Sequence, residues 1–207
     1  MRLTSPKRDA RYRQLLQAAV KIFARDGIDA ASVADIAEAG GVAKGSVYLY
    51  FDSKETLSGD VVGFVFATPD AGEALLSKDP NPLHRIVRFC AGLQERVLGL
   101  GENAAVVLHM FGHTGKTQDD QLARGIRQLM SESRYLIELL LANAQQRQQL
   151  PQDLRISRAA ASLLAVTFGV IHSRLAHGLS GPDHGINVAR SVTVYLRGLG
   201  ANLPLED

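Results

Sequence analysis

His109 and His113 stand four apart in the run His109-Met110-Phe111-Gly112-His113, a spacing that puts two imidazoles on one helix face, as a pair of metal ligands requires. No acidic residue lies between them to serve as a general base, and Gly112 and Gly115 point to a helix end. The pair therefore reads as lining a pocket or the surface, and no metal is expected. His172 and His177 are five apart and do not face each other on a helix. Asp119-Asp120 open a helical stretch, where negative charge suits the helix dipole better than it suits a catalytic carboxylate pair. The single cysteine, Cys90, falls on an apolar face; it can form no internal disulfide and excludes a cysteine-cluster zinc site. Nucleophile elbow, phosphate-binding loop and dinucleotide fingerprint are all missing. The expectation is a protein that is not an enzyme and carries no cofactor.

The elements around these residues are helical. Of the 207 residues, 46% are hydrophobic and 21% charged, which excludes a disordered or collagen-like chain and allows one domain, or two small ones sharing a core. No apolar run approaches the roughly 18 to 20 residues of a membrane span, so no membrane partner is expected. The start, MRLTSPKRDARYRQ, has charges with no apolar stretch behind them, which reads as no secretory signal and a cytoplasmic protein. Leu15, Ala19, Ile22 and Phe23 recur at helical spacing before a stop at Gly27. Short helices are expected near 32–39 and 43–50, and another from Ser53, whose hydroxyl can cap an acidic first turn, with Pro69 as its break. Asn81-Pro82 opens a further helix with the apolar face Leu83, Ile86, Val87, Cys90, Leu93 and Val97. Longer helices are expected over about 117–149, 157–177 and 183–200. The fold class is all-α, with about nine helices.

Lys and Arg outnumber Asp and Glu by only 23 to 21, so any nucleic-acid surface must be local. One basic cluster exists: Arg2, Lys7, Arg8, Arg11 and Arg13 against Asp9 alone, either a solubilising tail or an arm that touches DNA. Residues 33 to 50, VADIAEAGGVAKGSVYLY, then satisfy a helix-turn-helix. Ala37 is small where two helices cross, Gly41 can take the positive φ of the turn, and Ile36, Val42 and Val47 lock the second helix to the first.

With Leu15 to Gly27 before it and Phe51 to Leu57 after it, this segment resembles the TetR family of transcriptional regulators over roughly residues 10 to 60. The resemblance implies an N-terminal three-helix DNA-binding head (1–55) and a larger ligand-binding and dimerisation domain (56–207). It assigns DNA contacts to Ser32, Lys44, Gly45, Ser46, Tyr48, Tyr50 and Lys54, the last as a phosphate contact, and leaves Leu49 exposed to meet a thymine methyl. Two positions depart from the family pattern. Ala43 replaces the usual Ser or Thr cap, and Leu49 replaces a commonly polar residue.

The function implied is that of a sequence-specific regulator, most simply a repressor released from a palindromic or near-palindromic operator by a small, mostly apolar effector. The alternative is a helix-turn-helix protein with a structural, ligand-free role. Scattered polar residues in the back two-thirds, Gln94, His109, Tyr135, Asn143 and His172, are candidates for the effector site. A homodimer is expected through the stripes Leu164, Phe168, Ile171 and Leu175, and Val188, Val192, Tyr195, Leu196 and Leu199.

Overall fold

The computed structural model describes residues 6–66, 79–113, 120–178 and 186–204. Among these the chain is helical throughout: α1 (Pro6–Asp26), α2 (Val33–Ala39), α3 (Lys44–Val47), α4 (Lys54–Phe66), α5 (Pro82–Leu98), a 3-10 turn (Gly101–Ala104), α6 (Ala105–His113), α7 (Gln121–Gln146), α8 (Ile156–Ala176) and α9 (Val188–Gly198). The all-α expectation holds. Pro69, residues 117–119 and residues 183–185, where the sequence places a break and two helix starts, lie outside the described residues.

Helix starts follow the capping residues. The Ser53 hydroxyl accepts from the Thr56 N–H at 3.2 Å, and Asn81 Oδ1 accepts from the Leu83 N–H at 3.0 Å with Pro82 in the first turn. Asp120 Oδ1 accepts from the Leu122 N–H at 2.9 Å, and Asn187 Oδ1 from the Arg190 N–H at 2.7 Å. α7 stops at Gln146, short of the expected residue 149, because the chain reverses there: Gln148 takes φ 59° and the Gln149 N–H returns to the Ala144 carbonyl at 2.9 Å.

The chain forms two compact units, Met1–Ala67 with Leu100–Leu129, and Thr68–Gly99 with Met130–Asp207. By packing, then, α4, α6 and the first turns of α7 gather with the head, whereas the sequence divides the chain at 55/56. In the first unit α1 lies against α2, α4, the 3-10 turn and α6, and Leu15, Ala19, Phe23, Ile36, Leu57, Val61, Val106 and Val107 are sealed from solvent. Each of the larger side chains contributes roughly 1.5–3 kcal/mol by leaving water. α4 and α7 meet backbone to backbone. A Cβ on Gly125 would sit 2.9 Å from the Gly59 carbonyl oxygen, and one on Gly59 would sit 3.0 Å from that of Gln121.

In the second unit α5, α8 and α9 pack on one another around Ile86, Cys90, Leu93, Val97, Leu163, Val188, Val192 and Leu196. Burial pushes the Cys90 thiol up to about 12, against a hydrogen bond with Thr167 that acts the other way. Among the described residues α8 alone is long and apolar enough by composition to cross a membrane. Here it is a core helix, with Leu163, Leu164, Thr167, Phe168 and Ile171 buried.

The stripes expected to meet a second copy divide: Leu175, Tyr195 and Leu199 stay partly exposed, while the others turn inward. Val188, Val192 and Leu196 are fully buried inside this chain, and Leu164, Phe168 and Ile171 nearly so. For Val188, Val192 and Leu196 the cover is the chain's own core, whereas Leu164 and Phe168 also edge an open groove. The outward side of α8 carries small residues instead: Ala161, Ala165, Gly169 and Ala176, with His172 among them.

Candidate nucleic-acid interface

The helix-turn-helix is built from short pieces held by α1 and α4. Ser32 caps α2 reciprocally: its hydroxyl accepts from the Asp35 N–H at 3.2 Å and donates to Asp35 Oδ2 at 2.6 Å, while the Ser32 N–H also reaches that carboxylate at 3.3 Å. Ala37 is buried at the crossing, and Gly41 turns the chain at φ +62°. The turn closes through Gly41 N–H to the Glu38 carbonyl and Val42 N–H to the Ala37 carbonyl, both at 2.9 Å. From α1, Gln14 Nε2 donates to the Gly40 carbonyl at 2.8 Å and pins the end of α2.

α3 is shorter than the expected 43–50. It starts at Ala43 with no side-chain cap and holds an α-helix only over Lys44–Val47. Beyond it the last turn tightens, with the Leu49 N–H on the Ser46 carbonyl at 3.3 Å and the Tyr50 N–H on the Val47 carbonyl at 3.0 Å. Val47 and Phe51 are buried at 2% and 1% exposure and fix this segment to the core. Its outer side is open. Leu49 is 71% and Tyr48 48% exposed, Lys44 and Gly45 are exposed, and Ser46 and Tyr50 are half-buried. A Cβ on Gly45 would meet nothing within 4 Å, so the backbone there lies open to a close partner.

Lys54 is placed differently from its expected phosphate contact. Its Nζ donates to the carbonyls of Ile28, Asp29 and Ala31 at 3.1, 2.9 and 3.0 Å. An ammonium has three N–H donors, and here three carbonyls of the α1–α2 loop receive them. Asp29 is also approached by His113, whose Nδ1 lies 3.4 Å from its carboxylate while Nε2 lies 2.7 Å from Asp120.

Sequence reasoning missed Tyr12. Its hydroxyl donates to Asp60 Oδ2 at 2.8 Å, and its ring stacks on Phe51 with centroids 5.0 Å apart and 22° between planes. One side chain of α1 thus joins α4 to the end of the recognition segment. Partial burial, then the bonded and charged Asp60, hold the phenol above its ordinary value of 10.0. The only sequence signal was helical spacing, Tyr12 standing one turn before Leu16 on α1.

The five effector candidates are divided between the two units. Gln94 Oε1 accepts from the Val188 N–H at 3.0 Å at the start of α9. Tyr135 is 64% exposed, His172 is exposed and Asn143 is half-buried, while His109, in the other unit, is exposed beside Gly27. An open groove of about 490 Å³ lies between α7 and α8, lined by Met130, Ser131, Arg134, Ala161, Leu164, Ala165 and Phe168, and includes none of the five.

Tyr12→Phe should keep the stack on Phe51 and lose the bond to Asp60, lowering stability by about 1 kcal/mol in urea denaturation near neutral pH. A phenol raised in the folded state stabilises fully below its unfolded value and loses that contribution as pH rises above it. The gap between wild type and Tyr12→Phe should therefore be constant up to about pH 10 and shrink beyond.

A family model described as bacterial regulatory proteins of the tetR family matches residues 15–60, the span from the buried face of α1 to Asp60. The HTH-type transcriptional regulator TtgR of Pseudomonas putida is 28% identical over 162 residues, covering 76% of this chain and 77% of its own. The HTH-type transcriptional repressor BepR of Brucella suis biovar 1 is 26% identical over 211 residues, 99% of this chain and 100% of its own. Among solved structures, the transcriptional regulator FadR from Bacillus subtilis in complex with stearoyl-CoA superposes with a TM-score of 0.74 at 18% identity, over 93% of this chain and 100% of its own. The family's motif occupies the head, and a helical fold like that of these regulators runs through the described residues: over residues 15–60 the chain is similar to the DNA-binding segment of the tetR family of bacterial regulatory proteins.

Proposed function

We propose that the protein is a homodimeric repressor that binds a palindromic or near-palindromic operator and leaves it when a small, mostly apolar effector binds. The observation that carries the DNA reading is Leu49, a large aliphatic side chain held 71% exposed at the tip of a segment otherwise anchored in the core. Leaving it bare costs apolar exposure that a thymine methyl would relieve. Around it, Lys44, Ser46, Tyr48 and Tyr50 supply donors for phosphate and base edges, Gly45 admits the backbone, and Ser32 presents α2. Lys54, bonded to three carbonyls, contributes by holding the α1–α2 loop. The repressor and effector parts draw support from the named repressor BepR and from the stearoyl-CoA complex of FadR.

For the dimer we propose the outward side of α8, where Ala161, Ala165 and Gly169 let a second helix approach closely, continued by the groove that Ala161 and Ala165 line. Ala165→Glu should then convert a dimer to a monomer in sedimentation with little change in unfolding. Val192→Glu should instead unfold the chain, since it buries a lone carboxylate in the core. A monomeric wild type at micromolar concentration would remove the dimer.

On an operator recovered by selection from random duplexes, Leu49→Ala should alter base preference. Lys54→Ala should weaken all duplexes alike, cost about 1.5–3 kcal/mol of stability, and leave the salt slope within a fraction of a unit. Matching profiles for the two variants would show the roles to be wrongly divided.

The effector reading is tested by titrating stearoyl-CoA with and without operator. An effector moves the equilibrium only by its differential affinity, about 5.5 kcal/mol for a shift from 99:1 to 1:99, and the coupling is reciprocal. DNA should therefore weaken stearoyl-CoA binding by the factor by which stearoyl-CoA weakens DNA binding. Binding that is equal in both conditions would favour the ligand-free structural role.

A further inference from the structure

The recognition segment carries charge at one end only. Lys44 stands at its start, and from Ser46 to Phe51 no side chain is basic. A formal net charge of +2 provides no general basic sheath to make up the difference. α1 brings a cation to the uncharged end. Arg8 and Tyr12 are four apart and share a face of α1, and both are laid against the same stretch of chain. Tyr12 stacks on Phe51 at 5.0 Å, the Arg8 guanidinium lies 5.5 Å from the centre of the Tyr50 ring, and Arg8 Nη2 donates to the Leu49 carbonyl at 3.4 Å. The next arginine on the helix, Arg11, is turned to Gln14, with Nη1 on Oε1 at 3.0 Å. The basic start of the chain is thus no loose arm at Arg8: it is helix, with its guanidinium fixed to the end of the element that presents Tyr48 and Leu49.

We propose that Arg8 is a DNA-contacting residue, its guanidinium meeting the backbone phosphate that flanks the base faced by Leu49. The proposal rests on the reading of the head as operator-binding. A guanidinium offers five N–H donors in one plane, a shape that fits two phosphate oxygens at once. The Tyr50 ring and the Leu49 carbonyl orient it before DNA arrives, so little side-chain freedom is lost on binding. Leu49 makes no hydrogen bond of its own through its side chain, so affinity at this end has to come from its neighbours, with Arg8 on the sugar-phosphate side. A phosphate contact supplies it without adding sequence information.

The test compares wild type, Arg8→Gln, Arg8→Ala and Arg8→Lys on the selected operator and on a random duplex, between about 0.05 and 0.2 M salt. Glutamine removes the charge and keeps the aliphatic stem with a planar amide, which ends about where the arginine Nε lies. Arg8→Gln and Arg8→Ala should each lower the slope of log affinity against log salt by about one unit, and weaken both duplexes in similar proportion. Arg8→Lys should keep the wild-type slope. A wild-type slope in Arg8→Gln would overturn the assignment. So would a loss in Arg8→Ala confined to the operator with the slope intact, since Arg8 would then only place Leu49. If wild type selects no duplex at all, the operator-binding reading of the head falls, and the role of Arg8 with it.

Discussion

Four residues of helix have no stability of their own, because nucleating the first turn costs more than its one or two hydrogen bonds return. The recognition helix here is Lys44–Val47, four residues without a side-chain cap. Its position is therefore wholly a product of what touches it. Val47 and Phe51 are driven into the core, the Phe51 ring is plated by Tyr12, and Tyr12 is itself tied to Asp60 of α4. On the other side α2 is held at its start by the Ser32–Asp35 box and at its end by Gln14. Remove these and the exposed side chains of Lys44, Tyr48 and Leu49 have no defined place.

The same dependence explains why the head reaches so far along the chain. α6 and the first turns of α7 belong to the compact unit that contains the helix-turn-helix. α1 is the common partner, with α2, α4 and α6 all packed on it. The α1–α2 loop is gripped from two elements, by Lys54 from α4 and by His113 from the end of α6, and both grips meet at Asp29. Lys54 brings a full charge to three carbonyls at 2.9 to 3.1 Å, closer than the 3.4 Å approach of His113 to Asp29, so Lys54 is the stronger of the two.

Much of this was legible because local chemistry leaves local marks. Ser53, Asn81-Pro82 and Asp120 announce helix starts by type and spacing, and Ala37 with Gly41 announces the turn. What could not be read depends on partners distant in sequence. The stripe of Val188, Val192 and Leu196 has the same periodicity whether its cover is α5 and α8 or a second copy, and only the fold distinguishes them. Lys54 looks like a free cation until the loop 25 residues earlier is seen to place three carbonyls around it. Gln94 looks like a ligand anchor until a backbone N–H 94 residues later claims it.

The meeting of Gly59 with Gly125 has a mechanical meaning. At the crossing point itself both residues are glycine, with Val62 and Gln121 flanking it, so α4 rests on α7 as a beam rests on a fulcrum. Gly59 lies five residues from Lys54 and seven from Phe66, which at 1.5 Å per residue makes arms of roughly 7.5 and 10.5 Å. A beam so supported reverses the sense of a displacement and reduces it to about seven-tenths. Movement at the Phe66 end of α4 would reach the Lys54 end smaller and opposite, an arrangement that trades travel for force.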